Sequence, residues 1–190
     1  MTSAAANPSI ATAADIVSFW REAGYERWFS KDLAFDAEIR ERFFATYEAA
    51  AKGQLRDWEH SAEGALALLI LLDQFPRNMF RDNARAFATD PLARGIAAGA
   101  LIKGYDGQIG QLSGELRDFF YLPFMHSEEP TDQEHAIALY IAVGSDDLKW
   151  ANIHADIIRK FGRFPHRNAA LGRKTTPEEQ AFLDGGGFSG

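Results

Sequence analysis

The segment Glu63–Phe75, EGALALLILLDQF, restricts the fold more than any other part of the chain. From Ala65 to Leu72 it is apolar at every position, so as a helix it has no polar face to show to water. A helix that is apolar all round must be covered on every side. It is only eight residues long, well short of the roughly 20 needed to cross a bilayer. The cover therefore has to come from the same chain. Composition says what kind of cover that is: 31 Ala and only two Val (Val17, Val143) favour helices over strands.

The rest of the chain reads as helix after helix. Asp15 caps a first helix carrying Ile16, Phe19 and Trp20. A second spans about 31–52, with the ladder Phe35, Ile39, Phe43, Tyr47, Ala51 on one face and the i,i+4 pairs Asp36–Arg40 and Glu38–Arg42 on the other. The apolar helix is the third, stopped by Pro76. Asp90-Pro91 opens a fourth that runs to Gly104, and a glycine-rich loop follows to Gly114. A fifth covers about 115–125. A sixth is opened by a Thr131/Glu134 capping box and a seventh covers 147–161. A short eighth is opened by Thr176-Pro177-Glu178-Glu179. The expectation is an all-α array of about eight helices in antiparallel hairpins, forming one domain over residues 15–190 behind a flexible tail at 1–14.

Cysteine is absent, which removes disulfides and thiolate metal sites and suits a reducing cytoplasm. No basic and apolar leader opens the chain, so a cytoplasmic location is expected, with no membrane partner. The net charge of −7 argues against DNA as a partner. No Walker A, GxSxG or HExxH pattern occurs, and neither a metal nor a cofactor is expected.

Three features could carry chemistry. Asp73 sits in the last turn of the apolar helix, where a carboxylate needs compensation, from Arg77, Arg81 or the basic C-terminal stretch. The stretch Arg159–Lys174 holds six Lys or Arg and one His in 16 residues, with no acid. It either neutralises buried acids or binds a small anion or an acidic peptide. His126-Ser127-Glu128-Glu129 could orient an imidazole for acid–base work. His154 falls on or beside an apolar stripe, as a core histidine does. A faint echo links Phe75-Pro76-Arg77-Asn78 to Phe164-Pro165-His166-Arg167-Asn168, each following an apolar helix. A shared way of stopping a helix, or chance, accounts for it equally well.

Phe19-Trp20, Trp28-Phe29, Phe35-Asp36, Leu71–Ala93, Leu122–Glu129, Phe161–Arg173 and Thr176–Leu183 together resemble the signature blocks of a mainly bacterial family, domain of unknown function 924. The resemblance implies a tetratricopeptide-like superhelical fold and transfers no reaction. It draws attention to Asp73, Arg77, Asn78, His126, Ser127, Glu128, His154, Arg163, His166, Arg167, Asn168 and Arg173. Two functions fit. One is a binding or scaffolding module that takes an anionic small molecule or acidic peptide on its arginines. The other is a small-molecule enzyme in which Asp73 or Glu128 moves a proton and Arg163 or Arg167 clamps an anion.

Overall fold

A computed structural model describes residues 10–188, and all regular structure among them is helical. The α-helical segments are α1 (Ala13–Trp28), α2 (Leu33–Ala51), α3 (Ala62–Leu69), α4 (Phe75–Met79), α5 (Asp90–Ile102), α6 (Tyr105–Leu112), α7 (Gly114–Arg117), α8 (Leu122–Met125), α9 (Pro130–Val143), α10 (Leu148–Phe161) and α11 (Pro177–Asp184). No helix among the described residues is long and apolar enough to cross a membrane.

The apolar helix is the centre of the molecule. Every residue from Ala65 to Leu72 is at most 2% exposed. Helices α1, α5 and α6 and the 3₁₀ turn Arg56–His60 pack around it. That turn approaches so closely that a Cβ at Gly64 would lie 2.2 Å from the Trp58 carbonyl oxygen, so no larger residue fits there. Phe19, Trp20, Phe35, Phe43, Phe75 and Phe119 pack as an aromatic cluster on one side. A smaller apolar cluster, Ile157, Ile158 and Phe164 with Phe161, Phe182 and Phe188 against it, holds the C-terminal region together.

Several boundaries differ from the sequence reading. Residues 1–9 of the expected tail lie outside the described residues. Thr12–Ala14, by contrast, open α1: Thr12 is the N-cap, in a capping box with Asp15. Asp36 pairs with Arg81 and Asn78 rather than Arg40, whose guanidinium donates to the Met79 carbonyl, whereas Glu38–Arg42 forms at 2.9 Å. The glycine-rich stretch is helical as α6, where packing against α3 and α5 outweighs a glycine penalty of about 1 kcal/mol each. Pro123 and a 3₁₀ turn break the expected fifth helix into α7 and α8. Pro130 starts α9 early, so the Thr131/Glu134 box does not form, and Glu134 pairs with Arg159 instead. The Thr176/Glu179 box does form.

The most consequential difference is at Pro76, which does not stop the apolar helix. A π turn, Ile70–Gln74, joins α3 to α4 with right-handed helical backbone at both junctions. Within it the Phe75 N–H reaches back to the Ile70 carbonyl. Proline leaves the carbonyl four residues earlier without its donor. That carbonyl is Leu72, and the Thr89 hydroxyl donates to it at 2.6 Å. Asp73 therefore lies inside a continuous helical rod and not at its negative pole.

Candidate functional site

The π turn points Asp73 into the interior, where the residue is 1% exposed. Its carboxylate accepts from Gln74 Nε2 at 2.5 Å and from His126 Nδ1 at 2.9 Å to both oxygens, with Arg77 Nη1 at 3.3 Å. A carboxylate can only accept, so His126 Nδ1 carries the proton and Nε2 keeps a lone pair. Burial pushes the Asp73 carboxyl up, but Arg77 and His126 outweigh it and hold the group well below the usual carboxylate range. Burial pushes the His126 imidazole down, Asp73 pulls it up, Arg77 pushes it down again, and the net result is below the ordinary value.

Arg77 also makes a two-pronged bond to Asp90, with Nη1 and Nη2 each donating at 3.0 Å. Asp90 was expected to cap α5. Thr89 holds the cap position instead, which leaves the Asp90 carboxylate free for arginine. Arg167, on the 3₁₀ turn Pro165–Arg167, brings Nη1 only to 3.6 Å from Asp90 Oδ2. Its guanidinium carbon lies over the rings of Phe87, at 4.7 Å, and Phe164, at 4.5 Å, and Nε has no acceptor among the described residues. Burial and Arg77 push the Arg167 guanidinium down to about 10.

The contacts close into a circuit. His126 faces His154, with ring centres 6.1 Å apart, and His154 lies 5.5 Å from Phe164, the ring that covers Arg167. His154 Nδ1 donates to the Trp150 carbonyl at 2.8 Å. His166 lies 5.6 Å from Phe164 and 5.5 Å from Phe188, and its buried Nδ1 has no partner among the described residues. Burial is the first cause holding His154 and His166 down to about 3, helped by the positive charge of neighbouring groups. All three imidazoles are therefore neutral at pH 7.

The structure brings together Asp73, Arg77, His126, His154, His166 and Arg167, and it sends the other candidates elsewhere. Glu128 does not hold His126; it accepts from Arg173 at 2.7 and 3.0 Å and from the Phe164 N–H at 2.8 Å. Arg163 pairs with Glu179 at 2.6 and 2.8 Å, and Asn168 donates to the same carboxylate at 3.1 Å. Ser127 donates to Asp132 and accepts from Arg94. Asn78 donates to Asp36 at 2.8 Å. A surface hollow of about 450 Å³ beside Ser18, Glu22 and Arg42 includes none of these residues.

The sequence echo is spatial. Arg77 and Arg167, equivalent in the two Phe-Pro segments, converge on Asp90. The following Asn78 and Asn168 each bond a buried carboxylate, Asp36 or Glu179, that is shared with another arginine. Asp90, Gln74, Thr89 and Phe87 were not singled out from sequence; the convergence of the two arginines is what reveals Asp90.

The protein is thus an all-helical one, packed around α3 and carrying a buried Asp–His–Arg circuit. The chain belongs to the family of bacterial proteins of unknown function DUF924, whose model matches residues 16–187. A solved structure of a protein of unknown function, ATU0120 from Agrobacterium tumefaciens, is similar to it: 50% identical, covering 91% of this chain and 97% of that one, with a TM-score of 0.86. No curated protein matches the chain.

Proposed function

We propose that the protein binds a small oxyanion, a carboxylate or phosphate, at Arg167. One observation carries this reading. Arg167 is 6% exposed, and among the described residues its guanidinium makes no hydrogen bond; its one ion pair is the 3.6 Å approach to Asp90, a carboxylate that Arg77 already holds by two hydrogen bonds. A buried cation whose donors are left without acceptors is costly. Its donors lie in one plane, the shape that suits a carboxylate or phosphate edge.

A small ligand fits better than an acidic peptide. The arginines that would extend a peptide site are already paired: Arg159 with Glu134 and Asp156, Arg163 with Glu179, and Arg173 with Glu128. The basic stretch is thus mostly neutralised from within, and Arg167 is the one arginine in it whose guanidinium makes no hydrogen bond among the described residues.

Isothermal titration with inorganic phosphate and with succinate tests the reading. Saturable binding of at least one is expected, weakened tenfold or more in Arg167→Met and unchanged in Arg159→Met. Wild-type protein that takes up neither anion, or an Arg167→Met variant that binds as well as wild type, overturns it.

A further inference from the structure

The circuit contains a pair of groups that anion binding does not require. A guanidinium holds an oxyanion without help from a buried aspartate and histidine. Yet His126 is fixed at Nδ1 by both oxygens of Asp73, and Asp73 is itself fixed by Gln74 and Arg77. This is the arrangement of a general base held in one tautomer by a carboxylate. The second imidazole, His154, is likewise pinned at Nδ1, by the Trp150 carbonyl, and its ring centre lies 6.1 Å from that of His126.

Among the described residues no hydroxyl is hydrogen-bonded to this base. Ser127 Oγ donates to Asp132 at 2.6 Å and accepts from Arg94 at 2.7 Å. Thr89 Oγ1 is held by the Leu72 carbonyl. The chain contains no cysteine. The proton that His126 can take is therefore one from water.

Building on the anion reading above, we infer that this site hydrolyses a small ester that carries a carboxylate or phosphate group. His126 is the general base toward water, and Arg167 anchors the anion. In the forward step His126 Nε2 takes one proton from water while the water oxygen bonds to the ester carbonyl carbon. The carbon–oxygen bond to the alcohol then breaks, and the leaving oxygen takes the proton back from the imidazolium. One water is consumed, an acid and an alcohol form, and the enzyme returns to its starting state. Asp73 is a positioning residue that keeps Nε2 unprotonated and aimed.

The groups that face His126 come from several elements: Asp73 from the π turn, Arg77 from α4, Asp90 from the start of α5 and His154 from α10. Burial is the largest influence and lowers the imidazole, Asp73 raises it, Arg77 lowers it and Asp90 raises it. The base is free at neutral pH, and the acidic limb of the rate profile lies below the ordinary imidazole value.

The test uses three 4-nitrophenyl esters: those of succinic acid, of phosphonoacetic acid and of acetic acid as the neutral control. The first two distinguish a carboxylate anchor from a phosphate-like one. Turnover of at least one anionic ester is expected, tenfold or more faster than the acetate. His126→Gln should lower kcat by about 10²-fold or more with KM unchanged, and Asp73→Asn should lower kcat and move the acidic limb. Arg167→Met should raise KM instead. Intact phosphate or succinate binding without hydrolysis of either anionic ester, or a His126→Gln variant as fast as wild type, overturns the inference while leaving anion binding in place. Circular dichroism confirms folding of each variant; His126→Gln carries the test if Asp73→Asn does not fold.

Discussion

Buried imidazoles set the acid stability of this protein. His154 and His166 are held neutral down to about 3, against an ordinary value of 6.5. A base whose folded value is lowered stabilises the fold fully above its unfolded value, and that contribution is lost as pH falls toward the folded one. Each imidazole therefore costs about 1.4 kcal/mol per pH unit on acidification below 6.5. Asp73 has the same sign in a lower window: its contribution is present above 3.8 and is lost as pH falls toward about 2. The unfolding temperature should thus fall between pH 7 and pH 5, less steeply in His154→Gln or His166→Gln, and at least as steeply as wild type in Asp73→Asn, which removes the group that raises His126. Calorimetry across that range checks this, and a flat wild-type profile contradicts it. At this scale the sequence reading found Asp73 and one of its partners, Arg77, while Arg81 pairs with Asp36 instead. Asp73 was recognised as an acid in need of compensation, but its chief remote partner is His126, 53 residues away, and nothing local in the sequence encodes that pairing.

The π turn is the element that makes the site. A proline inside an α-helix costs about 3 kcal/mol because it lacks a donor and clashes with the preceding turn. Widening the helix over Ile70–Gln74 accommodates Pro76, and Thr89 satisfies the carbonyl left over. Pro76→Ala restores a backbone donor for the Leu72 carbonyl and favours an ordinary α turn. Asp73 then rotates away from His126. The expected outcome is equal or greater thermal stability, with turnover of the anionic ester lost and succinate or phosphate binding kept. A variant that keeps both wild-type stability and wild-type turnover shows that the turn does not depend on the proline. The central position of α3 was legible because eight consecutive apolar residues permit no other placement. The continuation past Pro76 was not, since the rule that proline ends a helix assumes an unbroken α register. The helical state of the glycine-rich segment was hidden for a related reason: local preference was weak, and packing against α3 and α5 decided it.

Across the whole molecule the circuit bridges two apolar clusters of unequal size. Asp73 lies between Leu72 and Phe75 of the large core, whereas Arg167 stacks both on Phe87 at the edge of that core and on Phe164 of the small C-terminal cluster, which Phe188 also joins. Regions with few buried apolar contacts open at lower free energy than a global core. Amides of residues 164–183 should exchange with deuterium sooner than those of α3, and saturating phosphate or succinate should slow them selectively. Bound ligand at 100 times its dissociation constant adds about 2.7 kcal/mol to the stability of whatever must stay closed to hold it. Uniform protection of both regions, or none, would place the ligand elsewhere. The recurrence of Phe-Pro and Arg-Asn after two helices was visible in the chain from the start. That both arginines meet on one carboxylate could be seen only once the two clusters were brought together in space.

The two phenyl rings against Arg167 have a consequence for selectivity. Packed against both Phe87 and Phe164, the side chain has lost freedom to swing outward and greet an incoming molecule. Whatever binds must be slender enough to pass the rings. Bulk close to the charged end is refused by hydrocarbon walls, so it is molecular outline, more than the strength of attraction, that sorts the visitors to this site.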